Sequence, residues 1–590
     1  MSLHSIYISL LLLIYPLATT FSAISHQELI RAMRDEIQRS VQKLHVNNLQ
    51  KPYYLEYTIT LRHTESAKAT LGGLVSTKDI DGASITVGMR VGNEKFDNTN
   101  YFDAALGFFG SGDDEESFKN RRIPLEPDYS SLRRELWLAT DACYKQCAEL
   151  YSKKEASLKN RLRTDTTPDF TLMPPAIIAD TSSFSKVNFS EYQDLVKKLS
   201  SIFINYPQIS LSSVSAEFLP ETILYVNSEG REYVKTKQMI GIEVVASTQC
   251  KDGMPIASAY HCYANSVKEL PNNDSLFRAT EQTAQSLVSA YEAQSLSEPY
   301  SGPILFEGQA AAEVFAQIFA PHLIAQRPPL TERGVQDNER NSAFQNKIGG
   351  RVLPEFLSVQ DNPLMSSNGS SSLIGSYRID DEGIPAQTIS IIEKGYLKTL
   401  LSGRTPTKRV KASNGHSRGG APIFSVLHLM SVDKKKEGES EALKKRMLKL
   451  CKDRDLPYGI IVKKVLNINV LYTVLYEQTS GEFPYAQGDS KLTVLEAYRI
   501  YPDGKEERIR GSEIAGISPA TFKDILMIGK KHHPYNYLAP AVVSAFMTGG
   551  SQFVSASLLV PDILFEDIEL TPLEGDFPKP PFLSFPSAHQ

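Results

Sequence analysis

Hydrophobic residues recur along this chain in three spacings, and each predicts a different element. At three- and four-residue spacing, Ile30, Met33, Ile37, Val41 and Leu44 mark one face of a helix over residues 25–48. Leu132, Leu136 and Leu138 lead into Cys143, Leu150 and Tyr151 and predict a long helix over 126–163. Further helices are expected over 190–203 and 273–296. At two-residue spacing, residues 52–62, 67–76, 83–91, 209–219, 221–228, 235–247 and 254–263 read as strands, rich in Tyr, Ile, Val and Thr. The polar, proline-bearing segment 163–175 reads as an exposed connection. Helix, antiparallel strands and long helix in that order give an α+β N-terminal part.

The third spacing is nearly continuous. Residues 301–322 read SGPILFEGQAAAEVFAQIFAPH: a short strand over 303–306, a turn at Glu307-Gly308 and a helix over 309–320. Only Gln309, Glu313 and Gln317 interrupt the apolar surface of that helix, at spacing four, so it is expected to be buried. Pro321 lacks a backbone N–H and stops it. Beyond it, Asp380-Asp381-Glu382-Gly383 reads as a turn; an acidic triplet can hold Ca²⁺, but the full ligand spacing of a calcium loop is absent. Glu393-Lys394-Gly395 reads as a hairpin turn. Asn414-Gly415-His416 puts a histidine on a tight turn, either facing a cleft or bonding to the turn backbone. The charged run 433–453 has helical spacing from Ser440 and reads as a solvated surface helix. Residues 459–477 and 492–500 read as strands, and the adjacent His532 and His533 as part of a loop.

Glu307, Gly308, Ala310, Ala311, Ala312, Glu313, Val314 and Phe315 resemble, in step, the EGxAAxxxFHExxGH strand, turn and helix of the TldD/PmbA zinc peptidases. Val352-Leu353-Pro354, Gln360-Asp361-Asn362-Pro363, Gly375-Ser376-Tyr377-Arg378, Glu393-Lys394-Gly395 and Asn414-Gly415-His416 extend the likeness in the same order. The resemblance implies an α+β fold, with an N-terminal helix and antiparallel-sheet domain and a larger C-terminal mixed-sheet domain. It also locates the zinc chemistry, and there the residues differ. Ala316 stands where the family has its first histidine, Gln317 where it has the general base, Ala320 where it has glycine and Pro321 where it has the second histidine; His322 falls one place late. Zinc needs neutral imidazoles and its bound water needs a carboxylate to take a proton. Ala and Pro offer no lone pair, and Gln cannot accept that proton. Side chains five apart on an ideal helix diverge by about 140°, so two ligands at that spacing need a distortion that glycine permits and an Ala-Pro pair is expected to remove. The family's third ligand, a cysteine, matches residues 548–552, which contain none.

Composition adds an address more than a chemistry. With 590 residues, 41% hydrophobic and 22% charged, the chain reads as an ordinary globular protein of several domains, and a net charge of −5 gives no reason to expect nucleic acid. The apolar run 6–17 followed by small residues reads as an export signal, cleaved after Ser22, and no other segment is long enough to span a membrane. Five cysteines, an odd number, do not make a disulfide framework. The expected organisation is a signal peptide over 1–22, an N-terminal domain over 23–220, a C-terminal domain over 221–570 and a proline-rich tail over 571–590. The expected protein is exported to the periplasm or cell envelope and has no cofactor. It acts as a ligand-less TldD/PmbA-type subunit beside itself or a catalytically competent homologue, with peptide as its ligand and Glu313, Gln317, His322 and His416 as cleft-lining residues. Two other readings remain open: a peptidase holding zinc through Glu313, His322, His416, His532 or His533, and a structural protein that keeps only the fold.

Overall fold

The computed structural model describes residues 25–577, apart from 47–48, 102–120, 160–165, 328–329, 332–333, 336–342, 468–490 and 541–552, together with Leu583. The expected signal over 1–22, the segment 548–552 and most of the proline-rich tail lie outside the described residues.

The first sheet grows from one long hairpin. Pro52–Thr70 and Gly73–Asn93 pair antiparallel along their whole length, so the three short strands expected there are two long ones. The turn is Leu71-Gly72, both at positive φ (45° and 80°), the conformation whose twist matches that of a two-stranded ribbon. Leu211–Asn227, Arg231–Gln249 and Pro255–Ala264 follow antiparallel, and Ala176–Asp180 adds a parallel strand beside Arg231. The expected boundary at 220/221 falls inside Leu211–Asn227. Pro220 is carried within the strand because pairing with Pro52–Thr70 lapses there, between Glu221 and Phe218, where the proline has no N–H to give. One sheet therefore continues to Ala264.

The helices of this half cover one face. His26–Lys43 and Tyr129–Lys159 pack Met33, Leu132 and Leu136 against Tyr57, Ile85 and Val87. Phe189–Ser201 and Asn273–Glu292 pack Val196, Leu199, Leu276 and Leu287 against Ala69, Val214 and Ile242. The opposite face, from Tyr54 through Tyr233 to Tyr263, meets the second domain.

Among the described residues that domain forms a thirteen-stranded mixed sheet. At its centre Tyr300–Phe306 runs parallel to Gly459–Val465 and antiparallel to Phe553–Pro572. The two-residue period of the strands sorts side chains to two cores. Ile304, Phe306, Ile460 and Val462 face the helix that begins at Gln309. Leu305, Ile461 and Leu564 face Ser440–Asp453, whose Leu443, Met447 and Cys451 are buried against them. The charged run is thus not merely a solvated helix: its inner stripe closes the sheet. His532 and His533 lie in the strand Ile525–Pro540, opposite Pro561 and Val560, and not in a loop.

The segment expected to be an exposed connection is exposed at Thr166, Pro168, Leu172, Pro174 and Pro175, but it is pinned as a strap by two buried residues. Asp169 and Phe170 are 0% and 3% exposed. Asp169 takes the Lys154 ammonium at 2.6 Å and the Arg327 guanidinium at 2.9 Å. Thr171 N–H donates to Arg404 O, and Met173 N–H to Glu229. Asp169 sits there because its partners are the charges of Lys154 and Arg327, not water.

Core packing beside the central strand carries a direct expectation. Phe565 is fully buried, with Phe306 and Phe522 at ring-centroid distances of 5.6 and 5.3 Å. Phe565→Ala should cost about 3–5 kcal/mol, read as a lower urea midpoint for the second domain; an unchanged midpoint would contradict this packing.

Candidate functional site

Gly308, at φ 52°, turns the chain out of the central strand and donates its N–H to Asp562 Oδ1 at 2.8 Å. Gln309–Val314 is α-helical, Phe315–Phe319 is a π turn closed by Ala320 N–H on Phe315 O, and Ala320–His322 is 3₁₀. The expectation that an Ala-Pro pair removes the helix distortion is therefore overturned. The physical reason is the proline: its ring would crowd the carbonyl four residues back, and widening the preceding turn relieves the clash. A distortion is present, without the donor atoms that the resemblance implies around it. Ala316 is buried in the apolar core and, like Pro321, presents no lone pair.

The polar stripe is a buried hydrogen-bond network. Glu313 is 0% exposed. Its carboxylate accepts the Tyr535 hydroxyl in a short bond, Gln317 Nε2 at 2.8 Å and Gln309 Nε2 at 3.5 Å. Burial pushes the Glu313 carboxyl up to about 7, against the opposing pull of Tyr535, Gln317 and Asn467. Both glutamines also bond the backbone of the chain itself. Gln309 exchanges bonds with Val465 N–H and O at 3.0 and 2.9 Å, and Gln317 Nε2 donates to Leu466 O at 2.9 Å. The stripe does bind extended backbone, but that backbone is the end of Gly459–Val465.

Around this network the two domains meet in aromatic and basic groups that the sequence did not single out. The Tyr535 ring stands edge-on to His261 at 5.3 Å, and His261 lies 5.2 Å from Tyr263. Tyr263 donates to Glu243, and Lys464 Nζ reaches Ala259 O at 3.4 Å. Burial lowers His261 to about 4, leaving it neutral, and its Nε2 has no hydrogen-bond partner among the described atoms. Only strand alternation marked these residues beforehand, and alternation says which face, not which neighbour.

The remaining candidates do not converge. His322 packs on Phe344 at 5.8 Å, and burial with the charge of Lys347 lowers it to about 4. His416 is fully buried and bonds its own turn, with Nδ1 2.9 Å from Asn414 Oδ1 and Nε2 3.6 Å from Asp361. Although Asp361 is buried, His416 and Ser425 hold its carboxyl below the usual range. His532 stacks edge-on to His428 at 4.8 Å and bonds Leu429 O. Among the described residues, no three His, Cys, Asp or Glu side chains are placed to hold a metal ion. The donor set at 316–321 does not fit zinc: two positions lack donors, and the amide nitrogen of Gln317 is committed to Glu313 and Leu466.

Residues 299–571 match the family model of the PmbA/TldA metallopeptidase C-terminal domain. A metalloprotease of Methanocaldococcus jannaschii is 36% identical over 84 residues, which is 14% of this chain and 18% of that protein, so the alignment spans under a fifth of that relative's length. A proposed modulator of DNA gyrase from Thermotoga maritima shares the fold with TM-score 0.58 at 15% identity, covering 92% of this chain and all of that one. TldE from Thermococcus kodakarensis does so with TM-score 0.55 at 14% identity, over 92% of this chain and all of its own. These structures match both sheets, and so the α+β architecture of two domains.

The raised Glu313 has a sign that can be measured. A carboxyl lifted in the folded state contributes stability below the ordinary glutamate value, and that contribution is lost as pH rises through about 7. Relative to Glu313→Gln, the wild-type chain should lose on the order of 3 kcal/mol between mildly acidic and mildly alkaline solution, read by urea unfolding across pH. Parallel pH profiles for the two proteins would show that Glu313 does not titrate this way.

Proposed function

Because the chain belongs to the TldD/PmbA family through its C-terminal domain, we propose that it is a family member without zinc-peptidase chemistry, serving as a peptide-binding or partner subunit. The observation that carries this reading is the helix at 309–322. It keeps the π turn that could bring ligands together, yet presents Ala316, Gln317 and Pro321 at the positions the family motif gives to ligand, base and ligand. Gln317 keeps the outline of a glutamate but cannot take a proton from water. Its amide is instead a structural tie to Glu313 and to Leu466.

The same reading gives the chain a place outside the cytoplasm, reached by the apolar leader over 6–17, and a neighbour. The neighbour is a second copy or a homologue with an intact zinc motif, and peptide is the shared ligand. The helix-free face of the first sheet, with Glu243, His261 and Tyr263 turned toward Tyr535, supplies the polar and aromatic wall such a ligand would meet.

Purified without chelator, the mature chain should hold zinc well below one ion per chain and show no chelator-sensitive cleavage of unfolded peptides. One zinc per chain with chelator-sensitive cleavage would overturn the proposal. Intact-mass measurement of protein recovered from the envelope fraction should place the mature N-terminus at Ala23; a full-length mass in the cytoplasmic fraction would remove the export part of the reading.

A further inference from the structure

The helix Ser440–Asp453 turns one face to the second sheet, and its outward charges are sorted by place. Its glutamates stand at its start: Glu437 and Glu439 precede it and Glu441 lies in its first turn. Two of its neighbouring cations are paired, Lys444 with Glu506 at 3.4 Å and Arg454 with Glu566 at 2.7 Å. Lys445, Arg446, Lys449 and Lys452 are not: among the described residues none of the four makes an ion pair or a side-chain hydrogen bond. They recur at three- and four-residue spacing, so they stand side by side and repel. The helix C-terminus favours Lys452, in the last turn, but that effect fades within a turn and does not reach Lys445 and Arg446.

These four side chains border a groove of about 820 Å³. The helix ends where Asp455, at φ 55°, folds the chain back and Leu456 N–H donates to Cys451 O at 2.8 Å. That turn brings Leu456 and Pro457 into the lining, and Pro502 joins them from the turn after Leu492–Ile500. Among the described residues that line the groove, Asp455 is the one acid against four cations; Asp453 lies outside the lining. The whole chain carries a net charge of −5, so this excess of positive charge runs against the chain's own sign. The groove lies across the second sheet from the helix at 309–322. Ser440–Asp453 packs on Leu305 and Ile461, whereas the other helix packs on Ile304 and Phe306.

We propose that this groove is a docking site for an acidic peptide segment of a partner protein, its carboxylates meeting Lys445, Arg446, Lys449 and Lys452 and an apolar side chain resting on Leu456 and Pro502. From residue 445 to residue 452 a helix rises about 10 Å. An extended segment covers that span in three or four residues, at about 3.3 Å each. Two features choose a peptide over a membrane surface. The cations border a concavity, which a planar bilayer would bridge without filling. Apolar side chains line it, and phosphate headgroups would find no partner there. A bound acidic segment also relieves the repulsion among the four cations, so charge complementarity favours the complex.

The test is fluorescence anisotropy of a labelled Glu-Glu-Phe-Glu-Glu peptide with the full chain. The wild-type chain should bind it at low salt and should not bind the Lys-Lys-Phe-Lys-Lys peptide. Raising salt from about 0.05 M to about 0.5 M should weaken binding roughly ten-fold. Lys445→Glu combined with Lys449→Glu, both exposed positions, should weaken it by at least about ten-fold. Asp455→Gly removes the groove's acid at a backbone conformation that glycine adopts freely, and should tighten binding about two- to five-fold, a gain that misfolding cannot produce. Absence of binding, equal binding of the Lys peptide, a charge-reversed chain that binds as the wild type does, or an Asp455→Gly chain that binds no tighter would each overturn the proposal. Binding to phosphatidylglycerol vesicles that the charge reversal abolishes and the acidic peptide does not compete would assign the groove to a membrane surface and equally overturn it. Self-association of the wild-type chain that the charge reversal abolishes would assign it to a second copy, with the same consequence.

Discussion

A guanidinium stays charged at any pH a protein meets, and away from water each of its N–H groups needs an acceptor. Arg404 meets that demand with parts of the chain far apart in sequence: Thr171 of the strap, Glu229 at a turn of the first sheet and Tyr54 of the opening hairpin. None of these bonds forms unless the domains sit as they do. Removing one partner would leave a buried charge short of an acceptor, which is far more costly than losing an exposed ion pair. The relative placement of the two sheets follows from that demand. So does the candidate site, because the first sheet can turn His261 and Tyr263 toward Tyr535 only when its helix-free face is held against the second domain.

What could be read in the sequence was periodicity, and it was read well where one element faces one environment. Ile304, Leu305 and Phe306 alternate between two cores as a strand covered on both sides must, and the stripe of Gln309, Glu313 and Gln317 foretold a helix buried nearly all round. The failures share a cause. The strap reads as a solvated connection because Asp and Thr are usually solvated; most of it is, but Asp169 is buried by Lys154 and Arg327, and Thr171 O is taken by Arg404, 233 residues away. A break was expected at Pro220, but a proline whose N–H would lack a partner anyway costs the strand little. Polar residues and prolines carry meaning through their partners, and a one-dimensional pattern does not contain partners.

The π turn shows the same limit from the other side. A glycine was expected to be needed for the distortion, since glycine lowers the backbone cost. Proline reaches a similar geometry by a different route, through a missing N–H and a ring that crowds the turn before it. A helix can therefore carry a π turn with no zinc-ligand side chains at the matching positions, and shape alone does not report chemistry.

What the helix carries is a carboxyl poised between two opposing forces. The groups that bond Glu313 are donors: the Tyr535 hydroxyl and the amides of Gln309 and Gln317. Donors favour the charged form, and complete burial favours the neutral one; their near balance leaves the group at about 7. A peptidase's base must stay within reach of water and substrate. Here both glutamines are also fastened to Val465 and Leu466, and the carboxyl is sealed beneath them. The amide nitrogens of both glutamines hold the chain's own backbone in place. That commitment makes the helix a scaffold for the domain.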